Sequence, residues 1–321
     1  MVCIASRLRE KLDLKHGLLP KTANLFVDKY LMKNSVLDNA SVLTSKMLLV
    51  DSNTKNIILD SLTLPVVLKP RRETGSVGVS ILKSISDLNI LDDLAGKDYL
   101  VENYIDGETY RVDGVIYEGE IQELFIFRDT PSCFDYYQYR VPQVEFLISD
   151  SIISQQAHSV TNQILNHLNY NSGVFHLELI RDSHGQFHFL EVAARPGGGA
   201  ARKALKKHFN IDLAIQMMRI DAGLPIRRKQ NHEESAIAVL MIPTPSRTKK
   251  YRINSILSPK APAGVNLTLE YPANGTQLGE YDSVNIYISA KNDDLVINTL
   301  SSIDPSEIAK FSEWTENEPY N

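Results

Sequence analysis

The stretch 173–200, GVFHLELIRDSHGQFHFLEVAARPGGGA, decides how the rest of the chain is read. Apolar and polar residues alternate on both sides of RDSHG, whose composition suits a turn, and this predicts an antiparallel hairpin. A period of two puts His176 and Glu178 on one strand face, and Glu191, Ala193 and Arg195 together on a face of the following strand. If the strands pair around residues 182–185, Glu178 and Glu191 approach the same point.

Two carboxylates held that close repel unless a cation lies between them. Mg²⁺ suits such oxygen ligands, because it keeps waters and substrate phosphates in its other positions. A surface hairpin with scattered charges is the alternative reading. Upstream, KPRRETGSVGV (69–79) pairs a lysine at a strand end with a glycine turn. Gly75 and Gly78, around Ser76, let backbone N–H groups approach anionic oxygens, and Lys69 adds a fixed positive charge. It is not a Walker loop, since GK[ST] is absent and a strand rather than a helix is expected next. An ordinary hairpin explains the same residues. YLVENYIDGE (99–108) reads as a short strand whose backbone can meet an adenine edge.

Taken in order, FVDKYLMK (26–33), LPVVLKP (64–70) with its glycine loop, VENYIDGE (101–108), HLEL (176–179) and FLEVAARPGGG (189–199) resemble the ATP-grasp superfamily over roughly residues 5–225. The resemblance implies an α+β fold in which two lobes clamp ATP, with Mg²⁺ (or Mn²⁺) as cofactor. It implies that Lys29 and Lys69 contact phosphates, with the backbone of Gly75, Ser76 and Gly78 closing over them. Glu102, Asn103 and Ile105 would line the adenine site, with Glu108 the carboxylate adjacent to the ribose position, although a one-residue shift flips its strand face. Glu178 and Glu191 would hold the metal, and Arg195 would face the reacting carboxyl group. His176, Gly197, Gly198 and Arg202 are candidate substrate contacts; a hydrogen-bonded structural histidine and a solvated helix start explain His176 and Arg202 equally well.

Within the superfamily, the hairpin and RPGGG look most like the L-amino-acid ligases, which join a small carboxylate to an amine through an acyl phosphate. A biotin-attachment context is not visible, which disfavours a carboxylase. Three departures stand out. Ala193 occupies the position of a metal-binding Asn, and Thr109 that of a ribose-binding Glu. Such relatives also carry a Rossmann-like domain before the first helices; a separate chain, a truncated gene or a reduced enzyme each explains its absence, and a partner chain or homo-oligomer is one way to complete the acid site. A catalytically reduced nucleotide-binding module, acting with a partner, is the competing reading.

The rest of the 321 residues organises around these motifs. Two helices are expected over residues 1–34, the first with Ile4, Leu8 and Leu12 on its apolar side. Short strands are expected at Ser41–Leu43, Met47–Val50 and Val77–Leu82, and a short helix at Ser86–Leu94. Strands then follow from Tyr99, with helices at about 150–169 and Ile211–Ala222. The loop RDTPSCFDYYQYR (128–140) suits a substrate lid or a plain core cover. The ATP-grasp module is placed at 1–225, its small lobe at about 35–100 and the larger lobe at about 101–225. A strand-rich appendage with a fraying polar tail after Phe311 occupies 226–321.

A formal charge of −5 argues against a nucleic-acid partner, and the basic clusters Arg202–Lys207 and Arg247–Arg252 read as solvated faces. Cys3 and Cys133 offer neither a disulfide framework nor a metal spacing, which suits a reducing cytoplasm. The start of the chain lacks a signal peptide's apolar core, and no run approaches the ~18–20 apolar residues of a membrane span.

Overall fold

The computed structural model describes residues 2–14, 17–37, 41–228, 236–273 and 276–314. Along the chain the elements are α1 (Val2–Lys11), α2 (Pro20–Ala23), α3 (Lys29–Leu37), β1 (Leu43–Thr44), β2 (Met47–Leu49), α4 (Thr54–Ser61), β3 (Val66–Pro70), β4 (Ser80–Leu82) and α5 (Ile90–Leu94). Next come β5 (Tyr99–Asn103), β6 (Glu108–Tyr117), β7 (Glu120–Thr130), α6 (Cys133–Tyr139), β8 (Gln143–Leu147) and α7 (Ser151–His167). The chain continues through β9 (Gly173–Arg181), β10 (Phe187–Ala193), α8 (Ala201–Phe209), α9 (Leu213–Asp221), β11 (Ala236–Pro243), β12 (Tyr251–Ile256) and β13 (Val265–Glu270). It closes with β14 (Ser283–Ala290), α10 (Asp293–Ser301), α11 (Pro305–Ile308) and β15 (Ala309–Glu313).

The fold is mixed α+β, as the sequence predicts, and its compact units do not follow chain order. The first joins residues 1–126, 152–197 and 213–228; the second joins 127–151, 198–212 and 229–321. In the first, strands run β1-β10-β9-β6-β7, and a separate four-stranded sheet runs β2-β5-β3-β4. The small sheet has its own apolar core of Val50, Ile58, Val66, Leu68, Leu88, Leu91 and Val101, supplied by the strands together with α4 and the helical turns at 85–94. Both faces of the larger sheet carry structure. Leu177, Leu179, Tyr110 and Val112 are buried on one face, beside α9 with its buried Leu213 and Ile220. The other face bears the polar residues described below.

In the second unit the end of β7 continues the order β8-β11-β14-β13, and β12 pairs with β15. Alternate residues Ala236, Ala238, Leu240 and Ile242 of β11 and Val284, Ile286 and Ile288 of β14 form its core with Val296 of α10. Asn292 caps α10 by accepting the Leu295 N–H at 3.0 Å, and Asp293 and Asp294 meet the positive end of the helix dipole.

Several expectations need correction. The second N-terminal helix breaks into α2, a 3₁₀ turn at Asn24–Phe26 and α3, because Asp28 restarts the helix by accepting the N–H groups of Tyr30 (3.1 Å) and Leu31 (3.3 Å). Ile4, Leu8 and Leu12 are 54–66% exposed, while Ser6 and Arg9 are buried. Arg9 is held there by Asp221 of α9, at 2.5 Å. The early strand is Leu43–Thr44 rather than Ser41–Leu43, and the strand after the glycine loop begins at Ser80, since residues 74–79 are spent in turns. The polar tail does not fray immediately: Ser312 pairs with Arg252 in β12, and the Trp314 N–H donates to the Lys250 carbonyl at 2.8 Å. Residues 315–321 lie outside the described residues.

Candidate active site

Strands β9 and β10 pair with Glu178 directly opposite Glu191, and His176 opposite Ala193. That register depends on an irregularity between Phe189 and Glu191, where Leu190 is the extra residue. Phe187 and Phe189 are buried on the core side. Strict alternation would send Glu191 to the same side; the bulge turns it to the opposite face, and Val192 takes the next core position. Strand β6 supplies the neighbours on that face, with Arg111 opposite Glu178 and Asp113 opposite His176.

The polar residues on this face are strongly coupled. His176 bridges two carboxylates, with Nδ1 2.9 Å from Asp113 Oδ1 and Nε2 3.3 Å from Glu178 Oε1. Burial alone would push the imidazole down, but Asp113 and then Glu178 outweigh it and raise its pKa to about 9. It is therefore an imidazolium near neutral pH. Burial raises the Asp113 carboxyl, yet His176, Arg111 and Arg195 hold it below its ordinary range. Glu178 is lowered likewise, against its burial, chiefly by the hydrogen bond from His176. Arg111 Nε lies 3.3 Å from Asp113 Oδ2.

The RPGGG segment lies against this pair. Arg195 donates to the Pro196 carbonyl at 2.8 Å. A Cβ on Gly197 would stand 2.5 Å from Asp113 Oδ1 and 2.7 Å from His176 Nδ1, so only glycine fits. Gly198 and Arg202 belong to the second compact unit, and both are exposed.

The amino end of α3 brings lysines in from the other side. Lys29 Nζ is 3.1 Å from Glu191 Oε2 and also donates to the Glu73 carbonyl in the glycine loop. Asp28 receives Arg71 at 2.5 Å and Arg72 at 3.2 Å, which ties the start of α3 to the end of β3. Burial raises the Asp28 carboxyl, but Arg71, the Leu31 N–H and Arg72 together outweigh it and the pKa is lowered. In the loop, Gly75, Ser76 and Gly78 all take left-handed φ values of 66°, 59° and 70°. Gly78 has a further constraint, since a Cβ there would sit 2.8 Å from Pro70 Cγ.

Glu102 is 2% exposed, and its carboxylate meets Lys33, Lys69 at 2.5 Å and the Ser45 hydroxyl at 2.8 Å. Burial drives the Glu102 pKa up, but Lys33 and Lys69 prevail and hold it at about 2. Its side chain is thus committed to the two lysines and the Ser45 hydroxyl. Asn103 stands opposite Val66 at the end of β5, and Ile105 follows in the connection to β6. Glu108 is not brought to the site: it pairs in register with Arg181 and accepts the Tyr110 hydroxyl at 3.0 Å, on the face away from Glu178. Thr109 takes the site-facing position.

Asp28, Lys33, Arg111 and Asp113 are the residues that sequence reading missed. Lys33 lies one helical turn beyond Lys29 in the quoted FVDKYLMK, and Arg111 and Asp113 share a strand face by their spacing of two. Cys133 donates to Asp129 at 3.3 Å and accepts from Gln143 at 3.7 Å.

Residues 62–203 match the ATP-grasp domain family. The L-arginine-specific L-amino acid ligase of Bacillus subtilis is 24% identical over 209 residues, covering 60% of this chain and 48% of the relative. The D-alanine–D-alanine ligase of Acinetobacter baylyi is 27% identical over 176 residues, covering 52% and 53%. The crystal structure of the L-amino acid ligase from Bacillus licheniformis superposes with a TM-score of 0.71 at 16% identity, covering 98% of this chain and 78% of that one. Residues 62–203 thus resemble an ATP-grasp domain, and the chain shares its fold with that ligase structure. It spans about half the length of the curated relatives it matches.

Proposed function

We propose that the chain is an ATP-dependent carboxylate–amine ligase that activates an amino acid or related small acid as an acyl phosphate. The observation that carries this reading is the bulge-set pairing of Glu178 with Glu191, on one face with Lys29 and beside the segment of Arg195. Its relatives include two ligases that act on amino acids by name.

The donor set fits Mg²⁺. It is two carboxylates, and among the described residues no group of three or more His, Cys, Asp or Glu side chains is placed to hold an ion. Mg²⁺ accepts that shortage by taking nucleotide phosphates and water, and Mn²⁺ has similar ligand preferences. When bound, the ion would neutralise phosphate charge during transfer. Every other task falls to side chains. Glu178 is fixed by His176. Lys29 and Lys69 would leave the Glu73 carbonyl and Glu102 respectively for phosphate oxygens, and the 75–78 backbone would fold over them. In-line attack by the acid on the γ-phosphate gives an acyl phosphate and ADP. The amine then adds to the acyl carbon, Arg195 offsets the oxyanion, and phosphate leaves.

We place the nucleotide lobes at about 35–100 and 101–225. We also propose that a partner chain or a second copy helps wall the acid site, and that the protein works in a reducing, cytoplasmic setting. Among the described residues, no helix is long and apolar enough to cross a membrane. Ala193 opposite His176, with Thr109 in place of a carboxylate, favours a second reading, a nucleotide-binding module without turnover.

The test is release of phosphate from Mg·ATP by purified protein, screened against pairs of amino acids with the nucleotide product identified by chromatography. ADP plus phosphate is expected. AMP accumulation would exclude this mechanism, and tight ATP binding without release under any pair would favour the module.

A further inference from the structure

We propose that Lys33 is a positioning residue for the nucleotide phosphates: by holding Glu102 in place it leaves Lys69 as the exchangeable cation. The inference rests on the proposed ATP reading and adds a residue that no motif above assigns.

Glu102 shares one carboxylate between two ammonium groups, and it does so unequally. Its Oε2 takes Lys33 together with the Ser45 hydroxyl, while Oε1 takes Lys69 alone. Lys33 also donates to Ser45 at 2.9 Å and is 0% exposed, so it is closed in on every side. Lys69 stands at the end of β3, two residues from Val67, which is the register partner of Glu102; the two side chains meet as a diagonal pair on one sheet face. Only three residues separate Lys69 from the loop that begins at Glu73.

Two cations against one anion leave the cluster with a surplus positive charge in a buried place. A polyanion is the natural partner for that surplus. If Lys69 swings to a phosphate, Glu102 keeps Lys33 and Ser45, so no carboxylate is stranded. Without Lys33, releasing Lys69 would leave Glu102 buried and unpaired, and the pair would stay shut. Lys33 therefore acts on the phosphates through Glu102 and Lys69, without touching them.

Calorimetric binding of Mg·ATP and of adenosine to the full chain separates this from a merely structural role. Lys33→Met should weaken Mg·ATP by about tenfold or more while adenosine changes by less than about twofold. Lys33→Arg should restore Mg·ATP to within about threefold. The double variant Lys33→Met with Glu102→Gln should bind Mg·ATP at least about fivefold more tightly than Lys33→Met, because Lys69 is no longer captured. Unchanged Mg·ATP binding in Lys33→Met, an equal loss for adenosine, or a double variant no better than the single one would each overturn the inference. Should Lys33→Met fail to fold, the double variant is compared with Lys69→Met, and equal Mg·ATP affinity for those two would overturn it. Absence of Mg·ATP binding by the unmodified chain rejects the ATP reading itself.

Discussion

Glu191 meets two groups of opposite consequence, the Lys29 ammonium at 3.1 Å and the facing Glu178 carboxylate. Its charge matters to both, whereas its shape matters little to the fold, because the side chain is part-exposed at 21%. Glu191→Gln is therefore expected to lower turnover by about a hundredfold or more while the melting temperature shifts by only a few degrees. Phosphate release and a thermal melt, run side by side, check this; normal turnover would make the hairpin purely structural. Gly197 predicts a different pattern. Its α-hydrogen faces Asp113 and His176, so Gly197→Ala should push that pair apart, costing about 1–3 kcal/mol of stability. Turnover should drop by about a hundredfold, as for other ångström-scale displacements of aligned groups. Urea unfolding with parallel kinetics measures both, and an unperturbed variant would show that the segment has room to move.

At the scale of elements, the hairpin was legible and its most telling detail was not. Alternation around RDSHG located β9 and β10 and the two carboxylates, because period two is a local property. The bulge at Leu190 is invisible to that reading, since a single extra residue carries no composition signal. The same limit explains α1. Ile4, Leu8 and Leu12 fixed the helix, but its buried face is set by Asp221, 212 positions away in sequence. Lys33 and Asp113 escaped notice for a related reason: each is defined by partners on other elements, Glu102 and His176. Glu108 shows the reverse case, where strand register alone warned that its face was wrong. The bulge also yields a test. Deleting Leu190 removes the extra residue and should leave an unbroken ladder with Glu191 still opposite Glu178. Metal-dependent tightening of ATP binding should then persist. Calorimetry with and without Mg²⁺ decides it; loss of metal dependence in the deletion variant would show that the bulge itself shapes the site.

For the whole molecule, the buried cluster couples stability to acidity. Glu102 is held at about 2 in the fold, against an ordinary 4.5. Its stabilising effect is thus complete above about pH 4.5 and fades as pH falls toward 2. Lys33, lowered by burial to about 8, remains charged throughout that window and adds no slope. The melting-temperature difference between the natural chain and the Lys33→Met, Glu102→Gln pair should therefore change by several degrees between pH 6 and pH 2, the natural chain losing more. Parallel melting curves would reveal a flat difference if the cluster contributed nothing.

The pairing of β12 with β15 has a practical consequence at the far end of the chain. β15 occupies Ala309–Glu313, and Trp314 extends the contact to Lys250. Trimming the chain before Ala309 would strip β12 of that partner and bare a row of backbone donors and acceptors. Such an edge recruits other strands. Shortened forms made for crystallisation would be expected to aggregate, whereas a purification tag fused beyond Asn321 would leave the ladder intact.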